Sequence, residues 1–199
     1  MQVFKAVTPV SITLKENNMI KLLEAVPLSV FLLYIRNIDA DIPQNWEAPY
    51  IVSGLVAIAV TASFLYKKRM LNRIFLGINI YLVSGGVAFI THQWWLNRIY
   101  GDLQASGLLL WIIIAGIVTA LFSPKGFIGV DSSDKKSIKK YSYYLLLFSV
   151  GAFTISFGFR DNRLLSEIVP FIGLFLIQKS LKEKLIEKNT QSPRSDSGL

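Results

Sequence analysis

The sequence contains no cysteine and one histidine in 199 residues, and these two scarcities exclude several kinds of chemistry. Without cysteine there is no disulfide, no thiolate metal site, no redox Cys-x-x-Cys motif and no cysteine nucleophile. A haem or zinc site would need further nitrogen or sulfur ligands beside His92. The serines of the apolar segments have no histidine or lysine at the same depth to serve as a base. We therefore expect no metal, no other cofactor and no enzymatic activity.

Charged residues are also scarce, at 17% of the chain, and they are absent from several long apolar runs. Hydrophobic residues make up 52% of the chain and the mean hydropathy is +0.46, whereas a soluble domain has roughly 45–50% apolar residues. Four runs carry no charge at all: Ala48 to Tyr66, Ile74 to Thr91, Leu103 to Phe122 and Tyr141 to Phe159. A helix of such length, rising about 1.5 Å per residue, crosses a hydrocarbon core of about 30 Å. The composition predicts an all-α, polytopic membrane helix bundle.

We predict six transmembrane helices in one domain, residues 19–181. They run approximately over Met19 to Ile35, Ala48 to Tyr66, Ile74 to Thr91, Leu103 to Phe122, Tyr141 to Phe159 and Leu164 to Leu181. Residues 1–18 are predicted to be an N-terminal cytoplasmic segment, and residues 182–199 a charged, largely disordered cytoplasmic tail. Two alternatives remain. The first helix could be the core of a signal peptide cleaved near Ala40, and the sixth could lie at the membrane interface, because its uninterrupted apolar part is only Ile168 to Ile177.

The basic residues indicate how the bundle is oriented. With six spans, seventeen of the 21 lysines and arginines fall on one side, in the N-terminal segment, Lys67 to Arg73, Lys125 to Lys140 and the tail. The positive-inside rule then places both termini in the cytoplasm of a multi-pass inner-membrane protein surrounded by the lipid bilayer. A net charge of +8 would suggest nucleic acid in a soluble protein. Because these charges lie between apolar runs, we expect no nucleic-acid partner.

The helix from Ile74 to Thr91 has features of a central helix. Gly77, Tyr81, Ser84 and Ala88 share one face at helical spacing, and Asn72, Asn79, Gly86 and Gln93 form a second stripe. Small residues let membrane helices approach closely, and a buried amide seeks a hydrogen-bond partner. We therefore predict helix-packing roles for Gly77, Ser84, Gly85 and Gly86, with protein neighbours on both sides of this helix.

Two polar residues are candidates for binding a substrate, Asn79 and His92. Asn79 lies near mid-membrane. An amide at that depth commonly forms an interhelical hydrogen bond, and the alternative is that it contacts a substrate. His92 lies at the outer end of the same helix beside Trp94 and Trp95, and could bind a ligand or be solvated at the interface. No ionisable residue lies in the middle of a predicted span, which disfavours a pump or a channel.

The segment Leu22-Leu23-Glu24-Ala25-Val26-Pro27-Leu28-Ser29-Val30-Phe31-Leu32-Leu33-Tyr34, and Val83-Ser84-Gly85-Gly86 leading to His92, resemble the bacterial septation protein A family. The resemblance covers the chain to about Phe122. It implies an inner-membrane protein with a structural or interaction role in envelope biogenesis or septation, whose partners are other membrane or envelope proteins. The alternative function is a small transporter or lipid-handling protein, indicated by six helices, Pro27, Pro170 and Asn79.

Overall fold

The computed structural model describes residues 9–39, 42–132 and 134–191, and within these ranges it is helical with no strand. The α-helices are α1 (Pro9–Ile35), α2 (Glu47–Tyr66), α3 (Arg73–Ile90), α4 (Trp94–Leu103), α5 (Ala105–Phe122), α6 (Lys135–Gly158) and α7 (Val169–Gln191). A 3-10 turn, Pro43–Trp46, leads into α2, and a π-helical turn, Leu164–Ile168, leads into α7. The predicted all-α fold is confirmed.

Five helices are long and apolar enough to cross a membrane. Their spans are Pro43–Tyr66, Arg73–Ile90, Ala105–Phe122, Lys135–Gly158 and Leu164–Lys188. The last of these is the segment for which an interfacial position was the alternative. The first helix falls short instead, because its apolar part is only Leu22–Ile35. The fold is therefore that expected of a membrane protein.

Three helix boundaries differ by six or more residues from the predicted ones. Helix α1 begins at Pro9, so part of the predicted N-terminal segment is helical, while residues 1–8 lie outside the described residues. Helix α6 begins at Lys135 rather than Tyr141, because the Asp134 carboxylate caps it by accepting the N–H groups of Lys136 and Ser137 at 3.1 Å. Helix α7 continues to Gln191, and the remainder of the predicted disordered tail, 192–199, lies outside the described residues.

Helix α3 lies between α2 on one side and α5 on the other. Fifty-six per cent of its span is buried inside the protein, against 22% for the last span. Glycines allow this close approach, since a β-carbon at Gly54 of α2 would lie 3.1 Å from the Leu82 carbonyl oxygen of α3. The helix that carries most of the candidate residues is therefore the most enclosed of the bundle.

The bundle has two chemically different ends. The end we call the basic end contains the connection 67–72, residues 123–132 after α5, Asp134 before α6 and the α7 residues from Gln178 to Lys188. Contacts across it include Arg73 Nη2 donating to Ser123 Oγ at 3.2 Å and Lys188 Nζ to the Asp134 carboxylate at 3.0 Å. The opposite end, which we call the aromatic end, contains the turn Pro43–Trp46, helix α4 and the connection between α6 and α7. Arg160 Nη1 there donates to the Asp102 carbonyl at 3.3 Å.

Candidate functional site within the helix bundle

Asn79 lies in the interface between α2 and α3. Its Nδ2 donates to the Thr61 hydroxyl at 3.0 Å, and the residue is only 3% exposed. Its Oδ1 is buried and accepts no hydrogen bond from the part of the chain that the structure describes. The amide therefore joins two helices through one of its two polar ends.

His92 lies at the exposed aromatic end, just beyond α3. Its backbone φ of 56° is in the left-handed region, where glycine is the usual residue. The His92 N–H donates to the Phe89 carbonyl at 3.2 Å and the Gln93 N–H to the Ala88 carbonyl at 2.8 Å, which together form a Schellman motif. The imidazole lies 5.7 Å from the Trp94 ring. The structure thus gives His92 a role in ending the helix, with its side chain exposed.

The four predicted packing residues lie on α3 and contact different neighbours. A β-carbon at Gly77 would lie 2.6 Å from the Ile112 Cα of α5, whereas one at Gly86 would lie 3.0 Å from the Tyr50 carbonyl oxygen of α2. Gly85 makes room for the Tyr50 ring, which would lie 2.2 Å from a β-carbon there. The Ser84 hydroxyl lies 2.6 Å from the Tyr100 hydroxyl. The structure does not place these residues at one site with His92.

Three buried tyrosines form a cluster that was not singled out from the sequence. Tyr50 of α2, Tyr81 of α3 and Tyr100 of α4 are each at most 5% exposed. The Tyr50 and Tyr81 hydroxyls are hydrogen-bonded to each other, and the Tyr81 and Tyr100 ring centroids are 4.7 Å apart. Phe31 of α1 packs on Tyr50 with centroids 5.0 Å apart. This tyrosine cluster joins four helices near the aromatic end.

Tyr100 is the polar centre of that cluster. Its hydroxyl accepts the Trp111 indole N–H of α5 at 2.7 Å and bonds with Ser84 of α3. Burial raises the pKa of Tyr100 above its usual value, so the phenol remains neutral at physiological pH. Helix α4 turns the Tyr100 ring into the bundle, where it is 5% exposed. Trp94 and Trp95 themselves are more than half exposed.

A second polar cluster lies at the basic end and joins α1, α3 and α7. We call it the amide layer, and its members are Glu24, Asn72 and Gln178. Asn72 Nδ2 donates to Gln178 Oε1 at 2.9 Å, and Gln178 Nε2 donates to Asn72 Oδ1 at 2.8 Å. The Glu24 carboxylate accepts the Asn72 backbone N–H at 2.8 Å. Glu24 is 6% exposed and Gln178 is 4% exposed, so the three residues satisfy buried polar groups mutually.

The amide layer was only partly indicated by the sequence. Asn72 was placed on the stripe with Asn79, but nothing in the sequence paired it with Glu24 or with Gln178. Each of the three residues is an amide or an acid at the boundary of an apolar run, where a polar group without a hydrogen-bond partner is costly. That position in the sequence is the signal that could have indicated the cluster.

The described residues contain no group of three or more His, Asp or Glu side chains placed to hold a metal ion. A cleft of about 310 Å³ lies at the basic end between α5 and α6, and a smaller apolar groove of about 40 Å³ lies between α2 and α3. Neither cleft is lined by Asn79 or His92. Comparison with protein-family models, with curated proteins and with solved structures finds no match to this chain.

Proposed function

We propose that the protein is a non-catalytic, multi-pass membrane protein of the cell envelope, whose role is structural and exerted through other membrane proteins. The resemblance of Leu22 to Tyr34 and of Val83 to His92 to the septation protein A family supports the envelope role. The inner membrane is the location that this resemblance and the positive-inside rule favour.

The observation that carries the structural role is the position of Asn79. A transporter needs polar groups that face a cavity near the midplane to orient its substrate. Asn79 is the strongest candidate for such a group, and it is enclosed between α2 and α3, where it donates to Thr61 at 3.0 Å. The hydrogen bond from Asn79 to Thr61 stabilises the packing of α2 against α3, and a structural protein needs Asn79 only for that packing.

We further propose six spans with both termini in the cytoplasm, α1 being the span whose apolar part is short. Glu24 of α1 contacts Asn72 at the basic end, and Phe31, two turns later, contacts Tyr50 in the tyrosine cluster near the opposite end. Helix α1 therefore runs from the basic end of the bundle towards the aromatic end, and does not lie across one end. Its short apolar part is compatible with a span because Glu24 is buried against protein rather than lipid.

A small transporter or lipid-handling protein is the second candidate, and one observation favours it. The Asn79 Oδ1 atom is buried and has no hydrogen-bond partner among the described residues. A buried acceptor without a partner costs about 1–3 kcal/mol, and a substrate with an N–H or O–H group could supply the missing donor.

The replacement Asn79→Leu separates the two functions. A scaffold loses one interhelical hydrogen bond, worth about 0.6 kcal/mol and at most about 2 kcal/mol, and should retain its function. A transporter loses the group that orients its substrate. The measurement is complementation of a deletion strain under envelope stress, alongside the amount of the variant in the membrane fraction.

Thr61→Val is the matched control, because it removes the same hydrogen bond and leaves the Asn79 amide in place. Normal abundance and normal complementation for both variants support the structural role. Normal abundance of Asn79→Leu with complete loss of complementation, while Thr61→Val still complements, would establish the transport function in its place.

A further inference from the structure

A cleft lies at the basic end of the protein, where α5 ends and α6 begins. It has a volume of about 310 Å³, and its walls include Leu121, Phe122 and Ser123 from α5 and its end, and Lys135, Ile138 and Lys139 from α6. The loop between the helices is firmly held, since Phe127 and Ile128 are fully buried and the Ile128 N–H donates to the Ser142 hydroxyl at 3.2 Å. The cleft is therefore a defined feature between two packed helices.

The cleft is positively charged because the nearby acids are already paired. Asp131 forms an ion pair with Lys125 at 2.6 Å, and Asp134 forms one with Lys188 at 3.0 Å. Lys135 and Lys139 are exposed, and neither forms an ion pair with any residue that the structure describes. They lie four positions apart, so both amines extend from the same face of α6. Two ammonium groups at this spacing suit one phosphate group.

A third cation lies directly behind the cleft. The Arg73 guanidinium donates through Nη2 to Ser123 Oγ at 3.2 Å, and Ser123 is one of the lining residues. The Arg73 Nε is buried and has no hydrogen-bond partner within the described part of the chain. The site thus has cationic groups on two sides and few acceptors to neutralise them.

The other wall of the cleft is apolar and faces outward. Phe122 is 81% exposed and Leu121 is 64% exposed, and Val118 lies one turn earlier on the same exposed face of α5. An 18-residue apolar helix ends here, so this is the depth at which the hydrocarbon core gives way to headgroups. A ligand that suits both the lysine wall and the apolar wall of the cleft has an anionic headgroup and an acyl chain. Basic pockets between membrane helices are known to bind lipids of this kind.

We propose that this cleft binds an anionic phospholipid, with its phosphate on Lys135 and Lys139 and an acyl chain along Val118 and Leu121. The inference rests on the membrane placement proposed above and is independent of the scaffold role. A free phosphate would use the lysines without the apolar wall, whereas a phospholipid uses both walls of the cleft.

The test measures lipid retention by the purified full-length protein. The double variant Lys135→Ala/Lys139→Ala is compared with Lys136→Ala/Lys140→Ala, which removes the same charge at the same spacing from the same helix but outside the cleft. Retention of phosphatidylglycerol against phosphatidylcholine is measured by native mass spectrometry from mixed micelles. We expect Lys135→Ala/Lys139→Ala to lower retention of phosphatidylglycerol about 30-fold. The control variant Lys136→Ala/Lys140→Ala should lower it by less than about threefold.

A second pair of variants tests the acyl chain. Leu121, which is 64% exposed, lines the cleft, whereas Leu147 of α6 lies outside it and is 68% exposed. Each is replaced by serine. Leu121→Ser should lower retention of phosphatidylglycerol and Leu147→Ser should not. Inorganic phosphate at millimolar concentration should leave retention unchanged.

Four results would overturn the proposal. Equal losses of phosphatidylglycerol retention in the two double lysine variants would mean that the lipid is held by the overall positive charge of the surface. No loss in either variant would mean that the lipid binds elsewhere. No difference between Leu121→Ser and Leu147→Ser, or displacement by inorganic phosphate alone, would mean an anion site without a lipid. All these readouts are made on purified protein, so they are separate from the complementation that tests the proposed function.

Discussion

Gly77 of α3 lies against the backbone of α5 at Ile112, with no room for even a methyl group between them. A β-carbon at position 77 would be 2.6 Å from the Ile112 Cα and 2.9 Å from its nitrogen. Because both atoms belong to the backbone of a packed helix, the contact can be relieved only by moving a whole helix. This pair of residues therefore sets how closely the central helix approaches α5.

The first prediction is that Gly77→Ala destabilises the protein and Gly151→Ala does not. Overpacking at Gly77 should cost about 1–3 kcal/mol, or more because backbone atoms are involved. Gly151 of α6 has no atom within 4 Å of a β-carbon. Alanine there should be neutral or stabilising by up to about 1 kcal/mol, since alanine favours helix. Thermal unfolding in detergent measures both, and equal stability of the two variants would contradict the close approach of α3 and α5.

The second prediction concerns the amide layer. Gln178→Ala should cost about 1–3 kcal/mol, because it leaves the part-buried Asn72 amide with its donor unpaired. Asn72→Ala should cost more, since Asn72 Oδ1 also accepts the Ile74 N–H and caps α3. The double variant should cost less than the sum, with a coupling of about 0.5–3 kcal/mol. Additive effects in this double-mutant cycle would show that the two amides do not bond to each other.

The third prediction is a pH dependence that comes from Asp134. The hydrogen bond from the Ser137 hydroxyl, with a further one from Lys188, holds the pKa of this carboxyl well below its usual value of 3.8. A lowered folded-state pKa stabilises the protein above the ordinary pKa, and this stabilisation is lost as pH falls through the lower value. Asp134→Asn keeps an oxygen to cap α6 but loses the charge, so it should unfold at a lower temperature than the wild type at pH 7.

The difference between Asp134→Asn and the wild type should shrink progressively below about pH 4. Asp131→Asn is the control, because that residue is 81% exposed in its pair with Lys125 and exposed ion pairs contribute little. A constant difference between pH 7 and the acid range would argue against an ionised Asp134 bound by Lys188 and Ser137.

The fourth prediction is the topology. Reporters fused after Leu199 and inserted between Asp131 and Ser132 should both report the cytoplasm, because the proposed six-span arrangement puts seventeen of the 21 basic residues on that side. A reporter between Arg160 and Arg163 should report the opposite side. A C-terminus on the same side as Arg160 would contradict the six-span arrangement.

The helices were the most predictable part of the structure, because crossing a membrane demands long runs without charge. Ile74 to Thr91 was predicted and α3 is Arg73–Ile90, a difference of one residue at each end. The prediction was weakest where polar residues decide a boundary. The start of α6 depends on the Asp134 carboxylate capping backbone N–H groups, whereas the charge-free run used to predict this helix begins only at Tyr141.

The polar clusters were harder to predict because their partners are distant in the sequence. Tyr100 and Trp95 are both aromatic residues next to an apolar run, yet one is buried and the other is 61% exposed. The difference arises from the fold of α4, which turns Tyr100 toward Ser84 and Trp111 and leaves Trp95 outside. Likewise, the pairing of Asn72 with Gln178 depends on α7 packing beside α3, which local composition does not determine.

The amide layer also has a consequence for the order in which the chain is completed during translation. Asn72 and Gln178 are 106 positions apart, and at roughly 5–20 residues per second the ribosome needs about 5–20 s to make the intervening chain. During that interval the Asn72 amide has no Gln178 to bond with, although the central helix has already been made. A nascent chain that stops before α7 would therefore lack the hydrogen-bond partner that the Asn72 amide has in the complete bundle.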